Sequence, residues 1–599
     1  MIRNRPAMCT IADPIFHQAF TAIIKSGAAH SIEEYHRESM GPGGRHPSGI
    51  NYTVTAVLTA MLIRFLMYRP FSLRGAMETI GEFSTHQLDA VGMAGQDCTA
   101  IHHGAKTEYQ RFHRFWTLRM DPLDPDFDLQ ARRQTNAETD ALIGARTPQA
   151  QAQSELADER LTILINDLLH GSINEARPTH CEGDVVVDET TFNTASCDGT
   201  LGRKPERNRA ASPISQSWAR TSDHTLVTGS ADDHTGTARY RQVKSSGVGV
   251  GATFLTRVAE RSALHAEPAL FIGMAVHGPT GSNVAGLAAA IRHARRNGVD
   301  ARRDRRGHWP LLTADMGYNN KTGFGELMLA ERYSPVVRYP ENWNVSFPSA
   351  NPGSASEGPP PGPLQYVGAF FCPAVRDRID GHRTPRSVDL LNHDKFRTHD
   401  ARLRAIYPYL MGLHTRPAIA DVRYGRPRIG TAAPKAAKIR LVCPAALGSL
   451  MCPLKPESLH PSADGVPLAT PTWDAHELAC CAKSSVTVTL TADQLRLAQW
   501  ELVPGSWEHT LYYEAARALT EQRFSQIKSR NVAGLADLKT GPRRTPMLKI
   551  AIALAAAAVN IQAQQHHNPK ASRVESLDIR MRQLHDDLGH PPARIPPRS

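Results

Sequence analysis

The chain has 599 residues, 41% of them hydrophobic, and a formal net charge of +11 with a sequence pI near 9.2. A single core stops growing near about 250–300 residues, so more than one is expected, and this apolar content excludes a chain without folded domains. The basic balance suits a polyanionic partner, and nine cysteines in so long a chain exclude a disulfide scaffold.

Residues 1–150 read as mostly helical. Val54, Leu58, Met61, Leu62 and Phe65 recur at helical spacing, Pro70 follows as a stop, and Ser72 opens another helix. Around Arg111-Phe-His-Arg114-Phe-Trp-Thr-Leu-Arg119, basic and aromatic residues interleave, a pattern that serves DNA contact and core packing equally well. Residues 1–14 hold no continuous apolar stretch, so no secretory leader is expected. Residues 53–68 and 547–561 are interrupted by Arg64 and Lys549; neither reaches the roughly 18 uncharged apolar residues that a bilayer requires. The expected location is cytoplasmic, with no membrane partner. Residues 149–154 read as an Ala/Gln linker, with a helix following to Leu169.

A core is expected from about residue 178. In Asp184-Val-Val-Val-Asp188-Glu-Thr190-Thr-Phe192 the valines favour a strand. The two-residue repeat sets Asp184, Val186, Asp188 and Thr190 on one face and Glu189 on the other. Residues 247–255 and 268–276 read as further strands and 284–297 as a helix. Gly247-x-Gly-x-Gly lacks the Lys-Ser/Thr ending and following helix of a phosphate loop. In Trp309-Pro-Leu-Leu-Thr-Ala-Asp315-Met-Gly317-Tyr318 an apolar run ends in an acid, with a glycine two residues on. Open α/β sheets hold their chemistry just beyond such strand ends.

Residues 331–499 suggest a small β-rich domain, from short apolar segments at 365–371, 440–442 and 485–490 around a Pro/Gly/Ser-rich loop at 348–363. Cys372, Cys443, Cys452, Cys480 and Cys481 fall here without a C-x-x-C pair and read as buried small apolar residues rather than zinc ligands. Trp343, Trp473, Trp500 and Trp507 read as core rather than as platforms for a flipped base. Residues 545–562 form an Ala-rich helix, and 567–599 read as a basic flexible tail.

The densest pattern is Tyr513-Glu-Ala-Ala-Arg517-Ala-Leu-Thr-Glu521-Gln-Arg-Phe-Ser-Gln-Ile-Lys528. With Tyr513 at zero on a helical wheel, Arg517 lies at about 40°, Lys528 at about 60° and Glu521 at about 80°. One carboxylate and two cations line one edge, and Phe524, Thr520, Ile527 and Ala516 supply an adjoining apolar stripe. Glu514, at about 100°, competes with Glu521, as Asp184 competes with Asp188.

Arg517-x3-Glu521-x6-Lys528 resembles the Y-R-E-K signature of insertion-sequence DDE transposases, cut-and-paste enzymes with an RNase H-like core. The family places its tyrosine three residues before the arginine, where Glu514 stands here; Tyr513 is one residue earlier. Asp188-x-Thr190 resembles the first family motif, with Glu189 in place of a small residue, and Asp315-x-Gly317-Tyr318 resembles the second. The resemblance implies an α/β fold with a mixed sheet flanked by helices, antiparallel strands first and parallel ones after. It makes Asp188, Asp315 and Glu521 the catalytic, metal-binding acids and Arg517, Lys528 and Tyr513 the DNA-binding residues. The separations are 315 − 188 = 127 and 521 − 315 = 206 residues; the second gap resembles the β-rich insertion found in one branch of these enzymes.

Three hard oxygen ligands suit Mg²⁺, with Mn²⁺ able to substitute, and two such ions serve phosphodiester cleavage. Asp188 would then bridge the ions, with Asp315 and Glu521 each holding one. The implied activity is cleavage at inverted-repeat element ends and strand transfer into target DNA, by a homodimer on paired ends. The implied organisation is an end-binding helical region at 1–150, a core at 178–330 and 500–566, the insertion at 331–499 and the tail at 567–599. Alternatives are an RNase H-like nuclease without strand transfer and a catalytically decayed DNA-binding descendant.

Overall fold

The structure, a computed structural model, describes residues 10–598 apart from 41–49, 99–100, 102–105, 131–133, 196–211, 230–237, 280–282, 304–308, 340–345, 349–358, 380–384, 386, 393–394, 422–434, 461–464, 530, 536, 539–542 and 569–575. It is a mixed α/β fold around one large sheet. The strands are β1 (Val185–Thr194), β2 (Gln216–Gly229), β3 (Ala238–Arg257), β4 (Leu270–His277), β5 (Leu311–Ala314) and β6 (Ser334–Val337). The 20-residue β3 pairs antiparallel with β1 on one side; on the other it pairs with β2 along its first half and β4 along its second. β5 runs parallel to β1, and β6 parallel to β5. Across the middle the order is β4-β3-β1-β5-β6.

Gly247, Gly249 and Gly251 form a stripe within β3 rather than a phosphate loop. A Cβ on Gly249 would stand 2.1 Å from the Phe192 carbonyl oxygen, and one on Gly251 2.5 Å from Glu189 Oε1. Close approach of β1 is what these glycines permit.

Both faces of the sheet are covered. Val185 and Val187 pack with Leu287, Ala290 and Ile291 of the Asn283–Arg296 helix. Val186 points the other way, into Tyr512, Tyr513 and Ala516 of the Trp507–Lys528 helix. Beside that helix, the Pro148–Gly171 and Thr545–His566 helices cover β4.

Their buried residues join those of the N-terminal helices in one continuous cluster that includes Phe192, Phe254 and Phe271. Residue 150 therefore does not separate two cores, and residues 149–154 are no linker. Thr147 caps a continuous helix by accepting from Ala150 N, with Pro148 in its first turn; alanine, glutamine and glutamate then propagate it. The basic-aromatic segment splits by face within the Lys106–Met120 helix. Phe112 and Trp116 are core, Trp116 Nε1 lying 2.8 Å from Met547 Sδ, while Arg111 and Arg114 face solvent.

Two edge strands, β4 and β6, are closed by side-chain amides. Asn166 bonds both backbone groups of Met274 (2.9 and 3.0 Å) and Asn560 both of Phe271 (2.9 and 2.8 Å), flanking a register shift in the β3–β4 ladder. Gln499 does the same for Val337 of β6, at 3.1 and 2.8 Å. Buried edge groups need such partners. Asn560→Leu is expected to destabilise the fold by about 2–4 kcal/mol, because it strands one donor and one acceptor of Phe271; a denaturant midpoint unchanged in this variant would rule out that role.

Residues 331–499 carry two three-stranded sheets, β7 (Ser346–Pro348), β8 (Leu364–Tyr366) and β9 (Ala369–Phe371), and β10 (Gly412–Asp421), β11 (Lys435–Val442) and β12 (Ser485–Leu490). The expected strand at 365–371 is instead a hairpin turned at Val367 and Gly368, both at positive φ (49° and 81°). Helices such as Lys395–Ile406 share the insertion, so it is less purely β than expected. Residues 349–358 of the Pro-rich loop lie outside the described residues. The last strand, β13 (Asp537–Leu538), pairs with the end of β1.

The C-terminal segment is not a loose tail where it is described. Leu584 and Leu588 of the Ser576–Leu588 helix are buried, Ala593 N donates to Asp400 Oδ1 (2.7 Å), and Leu413 N donates to the Arg598 carbonyl (2.9 Å). Leu577, Met581, Leu584 and Leu588 recur at helical spacing, a stripe hidden by polar composition. The Thr545–His566 helix is long and apolar enough to cross a membrane, against expectation, but its apolar window lies wholly buried in the fold. Lys549 within it pairs with Asp158 at 2.6 Å.

Candidate active site

Asp188 and Asp315 sit at equivalent places on neighbouring parallel strands. The β1–β5 register pairs Val185 with Leu312, Val186 with Thr313 and Val187 with Ala314; the next residue on each chain is an aspartate, on strands about 4.8 Å apart. Asp188 Oδ1 accepts from Glu189 N (2.7 Å), and Asp315 Oδ1 accepts from Met316 N (2.8 Å) as the cap of a short helical turn. Each acid is thereby fixed by the backbone that follows it.

The face of β1 that carries Val186 also carries Asp188, and it looks toward the Trp507–Lys528 helix. From that helix Arg517 reaches between the other two acids. Its Nη1 lies 3.7 Å from Asp315 Oδ1 and its Nη2 3.1 Å from Glu521 Oε1. Burial, then the neighbouring Asp315, push the half-buried Asp188 carboxyl up to about 7; Arg517 opposes this and Glu521 adds to it. Burial works against the charge of Arg517, but Tyr513, Asp315, Asp188 and Glu521 outweigh it and hold the guanidinium charged. The three predicted acids thus share one electrostatic neighbourhood. Among the described residues no three His, Cys, Asp or Glu side chains stand as a closed metal cage; these acids are spread around Arg517, with Glu521 56% exposed.

Both competitors are engaged elsewhere. Glu514 accepts from Ser387 and lies 3.4 Å from Arg338 Nη1. Asp184 is buried at the entry of β1, where it accepts from Leu311 N (2.7 Å), and burial pushes its carboxyl up to about 7. It pins the start of β5 rather than facing the site.

Tyr513 does not offer a DNA-facing surface. Its side chain is 1% exposed, stacks on His509 with centroids 6.2 Å apart, and carries Arg338 over its ring at 5.9 Å. It lies within electrostatic reach of Arg517. Lys528 lies 5.6 Å over the ring of Phe192, four residues along β1 from Asp188, or about 13 Å. It flanks the acids rather than joining them.

Two further residues belong to the site, and only Arg338 escaped the sequence reading altogether. Arg338 joins Ser387 and Glu514 to the Tyr513 ring, and nothing in its local sequence marks it. Tyr318 is buried within electrostatic reach of Asp188, Glu189 and Asp315, and burial first, then Asp188, hold its hydroxyl well above the usual range; the D-x-G-Y motif was the available signal.

The three elements that meet here also explain the local sequence. Valines carry β1 into the sheet, Leu311 and Leu312 carry β5, and Ser506 caps the long helix by accepting from His509 N. Comparisons with protein-family models, curated proteins and solved structures return no match.

Proposed function

We propose that the chain is a DDE-type DNA transposase with an RNase H-like core. The β4-β3-β1-β5-β6 order supports that core: three antiparallel strands, then two parallel to the first. The observation that carries the reading is the β1–β5 register, which sets Asp188 beside Asp315 opposite Arg517 and Glu521.

The residues fit a divalent cation. Three acids stand around one arginine, and the Asp188 carboxyl resists ionisation there, so a second positive charge would relieve the crowding. When bound, two such ions supply Lewis acidity for activating water or a 3′-hydroxyl and for stabilising the leaving oxygen. Asp188, Asp315 and Glu521 would hold them. Arg517 positions Asp315 and Glu521, and Lys528 extends the positive surface along β1 toward a phosphate backbone. The N-terminal helical region, with exposed Arg111 and Arg114, would bind element ends.

Strand transfer separates this reading from a stand-alone nuclease. The purified chain, given Mg²⁺ and pre-cleaved DNA carrying the inverted repeats that flank its gene, is expected to join the 3′ ends to a target plasmid. Cleavage without joining would select the nuclease; neither reaction with Mg²⁺ or Mn²⁺ would leave a decayed descendant.

A further inference from the structure

The insertion gathers thiols that its sequence keeps far apart. Cys372 follows β9 and donates its N–H to the Tyr409 carbonyl at 2.8 Å, where Phe371 bridges Leu410. Gly412 of β10 pairs with Val442 of β11, and Val442 pairs with Ser485 of β12. Cys443 therefore lies at the same end of adjoining chains, donating to the Ser484 carbonyl at 2.8 Å. Cys481 precedes β12 in the Ala479–Ala482 turn, and Cys452 returns within electrostatic reach of Cys443 and Cys481. Cys372 is within the same reach of Cys443, Cys452 and Cys481. All four are buried, free thiols.

Three of them share one local form. Cys372-Pro373, Cys443-Pro444 and Cys452-Pro453 each turn back on themselves, with Val375, Leu447 and Lys455 N–H donating to the respective cysteine carbonyls at 3.0, 3.2 and 2.9 Å. The turns aim backbone N–H groups at sulfur: Ala374 at Cys372, Ala445 and Ala446 at Cys443, and Leu454 at Cys452. Trp473 Nε1 points at Cys481 Sγ from 3.4 Å. A neutral thiol is a weak acceptor and gains little from this; a metal-bound thiolate is oriented and stabilised by it. Lys455, itself buried, stands near Cys443, Cys452 and Cys481, where it would offset the negative charge of four thiolates around one dication. Cys480 belongs to the same cluster, its Sγ 3.9 Å from Cys481 Sγ and within electrostatic reach of Cys372 and Cys443, but its sulfur is also packed against the 360–362 segment, where a Cβ on Gly362 would come within 2.5 Å of it.

We propose that Cys372, Cys443, Cys452 and Cys481 bind one zinc ion that ties the two small sheets of the insertion together. An all-thiolate set of four selects zinc, or a similarly soft cation, over magnesium. As they stand the four sulfurs do not form a closed cage; side-chain rotation would bring them to about 2.3 Å from the ion, and the thiol protons leave as the thiolates form. This site is independent of the carboxylates and of any reading of their chemistry.

Metal analysis of the full chain tests it. One zinc per chain is expected in the wild type, with loss in Cys443→Ser, Cys452→Ser and Cys481→Ser and retention in Cys480→Ser and Cys181→Ser. Cobalt substituted into the wild type should show the thiolate-to-metal charge-transfer absorption of a tetrahedral sulfur site. Should the serine variants not fold, thiol titration of the native wild type serves instead: a chelator should expose four additional reactive thiols. A wild type that neither retains zinc nor takes up cobalt, a thiol count unchanged by the chelator, or zinc lost from Cys480→Ser but kept in Cys481→Ser would overturn the assignment.

Discussion

Asp188→Ala is expected to lower Mg²⁺-dependent cleavage of element-end DNA by at least about 10³-fold, the scale on which preorganised electrostatic stabilisation acts. End binding should persist, because the substitution removes a negative charge from a surface that must receive phosphates. Asp188 is the acid for which the largest effect is expected: it lies beside Asp315, feels both Arg517 and Glu521, and is the most enclosed of the three. Because the acids act as a unit, Asp188→Ala/Asp315→Ala should be little worse than either single variant. Glu514→Gln is the contrast, since Glu514 is committed to Arg338 and Ser387, and its rate should stay within tenfold of wild type. Gel analysis of labelled DNA reads the wild type and all four variants; Asp188→Ala cutting at a near-normal rate would end the metal-triad reading.

Strand-level features were legible because their signals are local. The valines before Asp188 and the apolar run before Asp315 each mark a strand ending in an acid, and the sheet then needed only a register to bring those ends together. The helix from 507 to 528 was readable from its wheel, yet the wheel could not separate Glu521 from Glu514. About 20° divides them, and the choice is made by Arg338 and Ser387, which come from distant chain. Tyr513 failed as a surface residue for a related reason: whether a tyrosine on a helix edge is core depends on what packs there, and Val186 does.

Errors of organisation came from composition. An Ala/Gln-rich stretch read as a linker, although those residues propagate a helix once Thr147 and Pro148 start it. The polar C-terminal segment read as loose, although four apolar residues at helical spacing suffice to dock it. The cysteines of the insertion read as buried residues and are buried; that three of them stand in Cys-Pro turns brought to one region is set by the β10–β11–β12 pairing and the Phe371–Leu410 bridge, which no C-x-x-C spacing announces. The edge-closing amides Asn166, Asn560 and Gln499 left no mark in the sequence, since an isolated Asn or Gln is ordinarily a surface residue.

The acid cluster also sets a pH dependence. Asp188 has its folded carboxyl at about 7 against an ordinary 3.8, so the native state binds this proton more tightly than the unfolded chain does. Its contribution to stability is therefore present in full below about pH 4 and is lost as pH rises through about 7. Three pH units would correspond to about 4 kcal/mol; residual solvent contact of the half-buried side chain should reduce the realised effect to about 1–2 kcal/mol. Asp188→Asn removes the titration while keeping the shape, so metal-free Asp188→Asn should unfold at a higher temperature than wild type at pH 8 and at nearly the same temperature at pH 4. Asp184 is present in both proteins, and the difference between their curves isolates residue 188. Mg²⁺ binds the ionised carboxylate, so it should raise the wild-type midpoint at pH 8 far more than at pH 5 and shift Asp188→Asn little at either. The groups facing Asp188 are Asp315 at the end of β5, Tyr318 from the turn after it, and Arg517 and Glu521 from the long helix, and none besides Arg517 is a cation. Coincident wild-type and Asp188→Asn curves from pH 4 to pH 8, with equal responses to Mg²⁺, would mean that Asp188 is neither strained by its neighbours nor a ligand.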